Sequence, residues 1–216
     1  YIARKGEWYG CISNGNEIVK PFEYKKIYRL NSGLVYVNAN GKSGMYDKKG
    51  EIKIPFEYDA IYDTYYNKSK PENSKYIVVK DGKVGTIDIH NNVVIPIIYD
   101  GLSGWVEYGP EAHFAKKDGK YGFVSHEGKI IIPAEYDYVG MPEAGVVIAR
   151  KNGKYGAISW ENKVIMPFIY DKLIDDIPYF YFEEEHQEAK LVALQNNIWS
   201  YYDLQGKLIR KNVSTS

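Results

Sequence analysis

The chain has 216 residues, 28 basic against 28 acidic, so its formal charge is zero and no global field draws it to nucleic acid or to an anionic membrane. That length buries a core without covalent staples, and the lone Cys11 excludes an intramolecular disulfide while leaving the compartment open. No apolar run approaches the roughly 18 residues that span a bilayer, and no charged-then-apolar leader precedes the first pattern, so membrane insertion is not expected. The chain opens on Tyr1, not Met, which leaves room for a leader or an upstream segment removed before it.

Tyrosine is unusually abundant, at 22 residues, and aromatic and β-branched enrichment favours pleated strands. In chain order, Pro21, Pro55, Pro96, Pro133 and Pro167 are separated by 34, 41, 37 and 34 residues. A constant distance before each stands a glycine: Gly10, Gly44, Gly85, Gly122 and Gly156. After each proline, again at a constant distance, comes Tyr24, Tyr58, Tyr99, Tyr136 or Tyr170. The next position is Asp59, Asp100, Asp137 or Asp171, with Lys25 the exception in the first unit. Spacing within a unit is rigid, and length varies only between units. A fixed internal repeat of this size is the mark of a repeat architecture. It divides a single β-repeat domain into units of approximately 1–34, 35–75, 76–112, 113–145, 146–190 and 191–216.

Turn residues assign the elements within each unit. Asn40-Gly41, Asp81-Gly82, Asp118-Gly119 and Asn152-Gly153 read as two-residue hairpin turns with positive φ at both positions. Asn16, Gly50, Asn91, Gly128 and Asn162 precede the prolines at fixed spacing, and these residue types tolerate a left-handed backbone, so a second tight turn is expected. Between the turns run short strands, for instance 114–117, 120–125 and 129–132, which make each unit a three-stranded meander. Beyond the Tyr-Asp pair an apolar residue (Ile27, Ile61, Leu102, Val139, Leu173) suggests a further short strand or bend leading to the next unit. Proline suits a strand end, where its missing N–H breaks no ladder bond. No window carries a helical period. In the sixth unit Asn197 takes the turn, Ser200 replaces the glycine, Gly206 keeps the second turn and Lys211 replaces the proline. The fold class is all-β: tandem short antiparallel meanders, five clear units and a degenerate sixth, in a propeller-like ring or a solenoid-like open array.

The run from Lys117 to Asp137, Lys-x-Gly-Lys-Tyr-Gly-Phe-x-x-x-x-Gly-x-Ile-Ile-Ile-Pro-x-x-Tyr-Asp, resembles the WG-repeat family of bacterial β-repeat proteins, named for a Trp-Gly pair. In this chain the tryptophan column holds Tyr9, Ser43, Val84, Tyr121 and Tyr155, and Trp199 is followed by Ser200, so the pair never occurs intact. The resemblance covers nearly the whole chain. It implies a β-repeat array used in binding, with no common enzymatic activity and no cofactor.

No catalytic or metal site is nominated. His90, His113, His126 and His186 occupy different columns and are not expected to converge, and no His/Cys/Asp/Glu cluster has ligand spacing. Cys11 reads as a small core residue. Ser125-His126-Glu127 holds triad side chains, but consecutive strand residues face opposite sides and cannot relay a proton. The column Ser13, Asp47, Asp88, Ser125, Ser159 and Asp203 reads as turn caps. The aspartate of each Tyr-Asp pair is expected to bond backbone amides at a bend, or a basic residue of the next unit.

The expected functional surface lies where the repeats differ, because repeat proteins accept insertions on a binding face. Three junctions are long: Tyr62 to Lys75, Ser103 to Ala112 and Ile174 to Lys190. They supply the candidates Tyr65 and Tyr66, then Trp105 and Tyr108, then Asp175, Asp176, Tyr179, Tyr181, Glu183, Glu184 and Glu185. Aromatics flanked by charge are typical interface anchors, although they could equally pack over the gap left by an irregular unit. The acidic third junction would suit a basic groove. The function expected is a non-enzymatic protein-binding module, in the sharpest form an immunity-type inhibitor of a basic toxin or nuclease, which would favour a cytoplasmic site without excluding a secreted one. A carbohydrate- or cell-surface-binding module is the alternative, motivated by the aromatic excess.

Overall fold

A computed structural model describes residues 1–31, 33–47, 49–65, 74–103, 112–175 and 191–211. Six antiparallel sheets follow one another along the chain, each a meander in sequence order, and no helix occurs among the described residues. The first holds β1 (Ile2–Lys5), β2 (Trp8–Ile12) and β3 (Ile18–Tyr24). The second holds β4 (Lys26–Leu30), β5 (Gly33–Val37), β6 (Ser43–Tyr46) and β7 (Ile52–Tyr58). The third holds β8 (Ala60–Tyr65), β9 (Lys75–Lys80), β10 (Lys83–Asp88) and β11 (Val93–Tyr99). The fourth holds β12 (Gly101–Ser103), β13 (Ala112–Lys117), β14 (Lys120–Ser125) and β15 (Ile130–Tyr136). The fifth holds β16 (Tyr138–Val139), β17 (Val146–Lys151), β18 (Lys154–Ser159) and β19 (Val164–Tyr170). The sixth holds β20 (Lys172–Asp175), β21 (Leu191–Gln195), β22 (Ile198–Tyr202) and β23 (Leu208–Lys211). The chain divides into two compact units, Tyr1–Leu102 and Ser103–Ser216.

The segment after each Tyr-Asp pair is a strand, and it opens the following sheet: β4 pairs with β5 and β8 with β9. Sheet boundaries therefore fall at the Tyr-Asp step. Each sheet from the second to the sixth has four strands, and the first has three.

The glycine and proline columns share one cause. In the first five sheets the last two strands slip by a bulge: Tyr121 pairs with Tyr136, but Phe123 pairs with Ile132. The extra residues around Pro133 fold down onto Gly122, where a Cβ would collide with the Ile132 and Pro133 backbones. At Gly85 a Cβ would lie 2.6 Å from the Ile95 carbonyl oxygen. In the sixth sheet Ser200 pairs with Lys211 and Tyr201 with Arg210 in regular register, so the bulge over this position disappears together with glycine and proline.

Both turn columns adopt left-handed backbone. The second turn has positive φ at Asn16, Gly50, Asn91, Gly128, Asn162 and Gly206. In the first turn Asp81-Gly82, Asp118-Gly119 and Asn152-Gly153 have positive φ at both positions. Asn40-Gly41 departs from the expected type, with only Gly41 left-handed. There the Asn38 carboxamide oxygen accepts the Asn40 and Lys42 amides, each at 3.0 Å, and organises a longer loop.

The core lies between successive sheets. Within the first unit, Cys11, Tyr24, Ile27 and Tyr36 form one cluster, and Val35, Met45, Ile54, Tyr58, Ile61, Tyr76, Val78 and Ile87 another. Within the second, Phe123, Ile132, Tyr136 and Val139 pack with Val147, Ala149 and Ile158, while Met166, Tyr170 and Leu173 pack with Leu191 and Ala193. Within each unit a column tyrosine thus shares a cluster with the aliphatic residue that opens the following sheet, Tyr24 with Ile27, Tyr58 with Ile61, Tyr136 with Val139 and Tyr170 with Leu173, which explains why both recur.

Candidate functional site

The repeated polar residues are committed to the scaffold. Each cap accepts two turn amides: Asp88 Oδ1 from His90 and Asn92 at 2.8 Å each, Ser125 Oγ from Glu127 and Lys129 at 3.2 Å each. Ser13, Asp47, Ser159 and Asp203 make the same two bonds. Each Tyr-Asp aspartate accepts the ammonium of the lysine that follows the first turn of its own repeat. The Lys42–Asp59 and Lys83–Asp100 pairs are at 2.6 Å, the Lys120–Asp137 and Lys154–Asp171 pairs at 2.5 Å.

The lysine thus comes from the same repeat, where the next was one of the expectations, while the amide partner does come from the next: Asp137 Oδ2 accepts Gly153 N at 3.0 Å and Asp171 Oδ2 accepts Asn196 N at 3.2 Å. The lysine bond, aided by the amide, holds the carboxyls of Asp137 and Asp171 below their usual range, and Asp59 behaves likewise. In the first repeat both partners change together, to Trp8 and Lys25.

Four column tyrosines, Tyr24, Tyr58, Tyr136 and Tyr170, latch their repeat to its successor. Tyr58 donates to Asn91 Oδ1 at 2.8 Å and Tyr136 to Asn162 Oδ1 at 2.7 Å, each asparagine being the second-turn residue of the next repeat. Where that residue is Gly50 or Gly206, a tyrosine just upstream substitutes: Tyr24 meets the Tyr46 hydroxyl at 2.9 Å, and Tyr170 meets Tyr202 at 3.2 Å.

Two histidines do converge, against expectation. His113 on β13 and His126 just beyond β14 are both buried, with ring centroids 4.5 Å apart. Hairpin register brings them together, since Ala112 pairs with Ser125 and His113 with Val124. The positions equivalent to His113 hold the buried Tyr76, Val147 and Leu191 and the half-buried Leu34, so His113 occupies a core site. Among the described residues no three His, Cys, Asp or Glu side chains form a group able to hold a metal ion. Cys11 is buried, its Sγ 3.6 Å from the Tyr36 hydroxyl.

The three long junctions share one topological place, the connection between the first and second strands of a sheet. Residues 66–74 connect β8 to β9, 104–111 connect β12 to β13, and 176–190 connect β20 to β21. In the second sheet the same connection is only residues 31–32. Tyr65 pairs with Lys75 and Asp175 with Leu191 at the bases of two of these junctions. The side chains of Tyr65 and Asp175 lie outside the described residues, as do Tyr66, Trp105, Tyr108, Asp176, Tyr179, Tyr181, Glu183, Glu184 and Glu185. Tyr62 and Ile174, close to the same bases, are exposed.

One surface column was missed by the sequence reading. Ile18, Ile52, Val93, Ile130, Val164 and Leu208 occupy the same position in the six repeats, at the start of the last strand of each sheet, and are 49–65% exposed. The signal was present in Ile130-Ile131-Ile132: three consecutive apolar residues break the two-residue alternation of a strand, so one must face away from the core.

The family described as "WG containing repeat" matches residues 9–42, 44–83, 85–121 and 121–155. No curated protein matches the sequence. Solved structures similar to the chain include a eukaryotic initiation factor, at 9% identity and TM-score 0.39, covering 98% of this chain and 61% of that one. The Pan2 WD40 domain of Neurospora crassa is similar at 10% identity and TM-score 0.30, covering 84% of this chain and 61% of that one. The WD40 β-propeller domain of Doa1 follows at 12% identity and TM-score 0.29, with coverage of 90% and 70%. The chain spans about three fifths of the length of the first two, at 61% each. The repeat matches extend over more than half of the chain, and their geometry is that of one meander reused along it: the chain belongs to the WG containing repeat family.

Proposed function

We propose that this chain is a non-enzymatic protein-binding repeat module. The observation that carries the reading is the column of exposed aliphatic side chains, Ile18, Ile52, Val93, Ile130, Val164 and Leu208, presented by every repeat. Isolated exposed apolar residues need no explanation, but the same exposure recurring in register on successive units is the pattern of a surface kept for contact. The polar columns support it from the other side, because caps, Lys–Asp pairs and tyrosine hydroxyls are occupied in holding the scaffold. The long junctions add specificity. The aromatic and acidic run containing Tyr179, Tyr181, Glu183, Glu184 and Glu185 favours a basic protein, and inhibition of a basic toxin or nuclease is the sharpest form of the reading.

The test is affinity capture with three baits: the native chain, an Ile130→Lys/Val164→Lys variant, and a charge-reversed variant at Glu183, Glu184 and Glu185. A basic protein retained by the native bait, and lost from either variant, supports the proposal. Retention indifferent to both variants sinks it. An empty capture with signal on a glycan array transfers the aromatic junctions to carbohydrate binding.

A further inference from the structure

Asn-Gly pairs occur three times, and two of them, Asn40-Gly41 and Asn152-Gly153, hold the first turn of a repeat with the asparagine exposed. An asparagine in this setting is open to attack from its own backbone, because glycine leaves the nitrogen that follows it unshielded. The glycine nitrogen, once deprotonated, attacks the asparagine side-chain carbonyl carbon. A C–N bond forms, ammonia leaves, and water opens the cyclic imide to aspartate or isoaspartate. The net change converts asparagine and water to an acid and ammonia, with no oxidant, reductant or cofactor. Its rate depends on how readily the glycine N–H releases its proton and on how freely the nitrogen moves.

The fifth repeat opposes both. Asp137 Oδ2 accepts the Gly153 N–H at 3.0 Å. A carboxylate there ties the nitrogen in place, and its charge disfavours a second negative charge on the amide. Asp59 serves the third repeat in the same way, since bonds from the Gly82 and Asp81 amides help to hold its pKa down. An Asp-Gly turn such as Asp81-Gly82 forms the same imide through the same nitrogen, with water in place of ammonia as the leaving group.

The second repeat is built differently. Lys25 takes the backbone place of the aspartate: its amide donates to the Val37 carbonyl at 2.8 Å, as Asp59 donates to Val79 at 2.7 Å and Asp137 to Arg150 at 2.8 Å. The charge carried by that column is thereby reversed for the Asn40-Gly41 hairpin, and a cation favours an anionic nitrogen where a carboxylate opposes one. The Gly41 amide donates to a neutral acceptor, the Asn38 carbonyl, at 2.9 Å. The third pair, Asn14-Gly15, belongs to a second turn, where Ser13 Oγ takes the glycine amide at 3.1 Å.

We infer that Asn40 is a site of spontaneous deamidation, and that the aspartate of a Tyr-Asp pair shields the matching turn of the following repeat from the same reaction. The two products differ in consequence. Aspartate at position 40 restores the residue type that Asp81 and Asp118 supply in the same column, whereas isoaspartate lengthens the main chain between β5 and β6. Either product places a new negative charge on the hairpin that carries Lys42. The inference uses neither the aliphatic column nor the long junctions.

The test is peptide mapping by mass spectrometry of the full chain aged in mildly alkaline buffer, with fragmentation to place each conversion of amide to acid. Asn40 should convert at least about tenfold faster than Asn152, the factor expected from a hydrogen bond to a charged acceptor. In the urea-unfolded chain the two should convert at similar rates, because the difference belongs to the fold. Asp137→Asn should speed conversion of Asn152 and leave Asn40 unchanged, which separates loss of the shield from general loosening. Lys25→Asp should slow Asn40 and leave Asn152 unchanged. Equal rates in the folded chain, a difference that persists on unfolding, indifference of Asn152 to Asp137→Asn, or indifference of Asn40 to Lys25→Asp overturns the inference.

Discussion

The Tyr58 hydroxyl donates to the Asn91 carboxamide oxygen at 2.8 Å, crossing from one repeat to the turn of the next. Both residues recur, but not independently. Ile87 and Asn91 go together, as do Ile158 and Asn162, whereas Tyr46 accompanies Gly50 and Tyr202 accompanies Gly206. Either an amide on the turn or a phenol on the strand before it satisfies the hydroxyls of Tyr24, Tyr58, Tyr136 and Tyr170. Tyr58→Phe should therefore destabilise the chain by roughly 1–2 kcal/mol, the cost of one lost bond at a buried site. Tyr99→Phe should cost less, because its hydroxyl makes no hydrogen bond among the described residues. Urea unfolding of the two variants side by side checks the difference.

Gly85→Ala should be far more damaging than Gly101→Ala. A Cβ at Gly85 meets the Ile95 carbonyl at 2.6 Å and the Ile97 Cα at 2.8 Å, backbone atoms that cannot step aside, while one at Gly101 meets nothing within 4 Å. Overpacking of this kind costs about 1–3 kcal/mol or more. Thermal unfolding midpoints should fall for the first variant and stay close to native for the second.

Acid should loosen the repeat junctions in a defined window. Lysine bonding lowers the carboxyl pKa of Asp59, Asp137 and Asp171, so folding favours their ionised form. That contribution is present above the unfolded aspartate value of about 3.9 and is lost as pH falls below it through the folded value. Asp137→Asn should flatten the decline in thermal midpoint between mildly acidic and strongly acidic buffer. A decline equally steep in the variant would show that other carboxylates are responsible.

Alkali acts through the tyrosine latches. Burial, the largest cause, and the neighbouring Glu57 and Glu135 push Tyr58 and Tyr136 up to about 12. Their stabilisation is complete below the unfolded value of about 10 and is lost as pH rises from there through the folded value. Tyrosinate absorbance should lag behind that of the urea-unfolded chain above pH 10 and catch up in one cooperative step as the repeats open.

Most of the architecture was legible because each repeat states its own constraints. Ser125 marks the cap and Asp118-Gly119 the hairpin through local chemistry that a sequence exposes, whereas Pro133, expected at a strand end, lies inside β15 at a bulge over Gly122 where the ladder needs no N–H from it. Partnership between repeats was harder to read. The strand after Tyr136-Asp137 could have ended its own meander or begun the next, and only the register of Tyr138 with Arg150 decides it. Asn40-Gly41 misled because Asn38, two residues earlier, captures the turn amides first. His113 and His126 looked unrelated because neighbours across a hairpin stand in unrelated sequence columns. The candidate residues Tyr66, Trp105, Tyr108, Asp176, Tyr179, Tyr181, Glu183, Glu184 and Glu185 fall in the parts of the chain that vary, where no repeat supplies a second copy to compare.

The proline bulge has a consequence for the life of the protein in solution. The last strand of every sheet carries an exposed aliphatic residue, the combination of apolar side chain and free backbone that seeds fibre growth. Pro21, Pro55, Pro96, Pro133 and Pro167 each delete a donor from that strand and bend it away from flatness, and the charges of Arg210 and Lys211 take over where proline is missing. Copies of the repeat can therefore be multiplied by gene duplication without each new copy adding a template for aggregation.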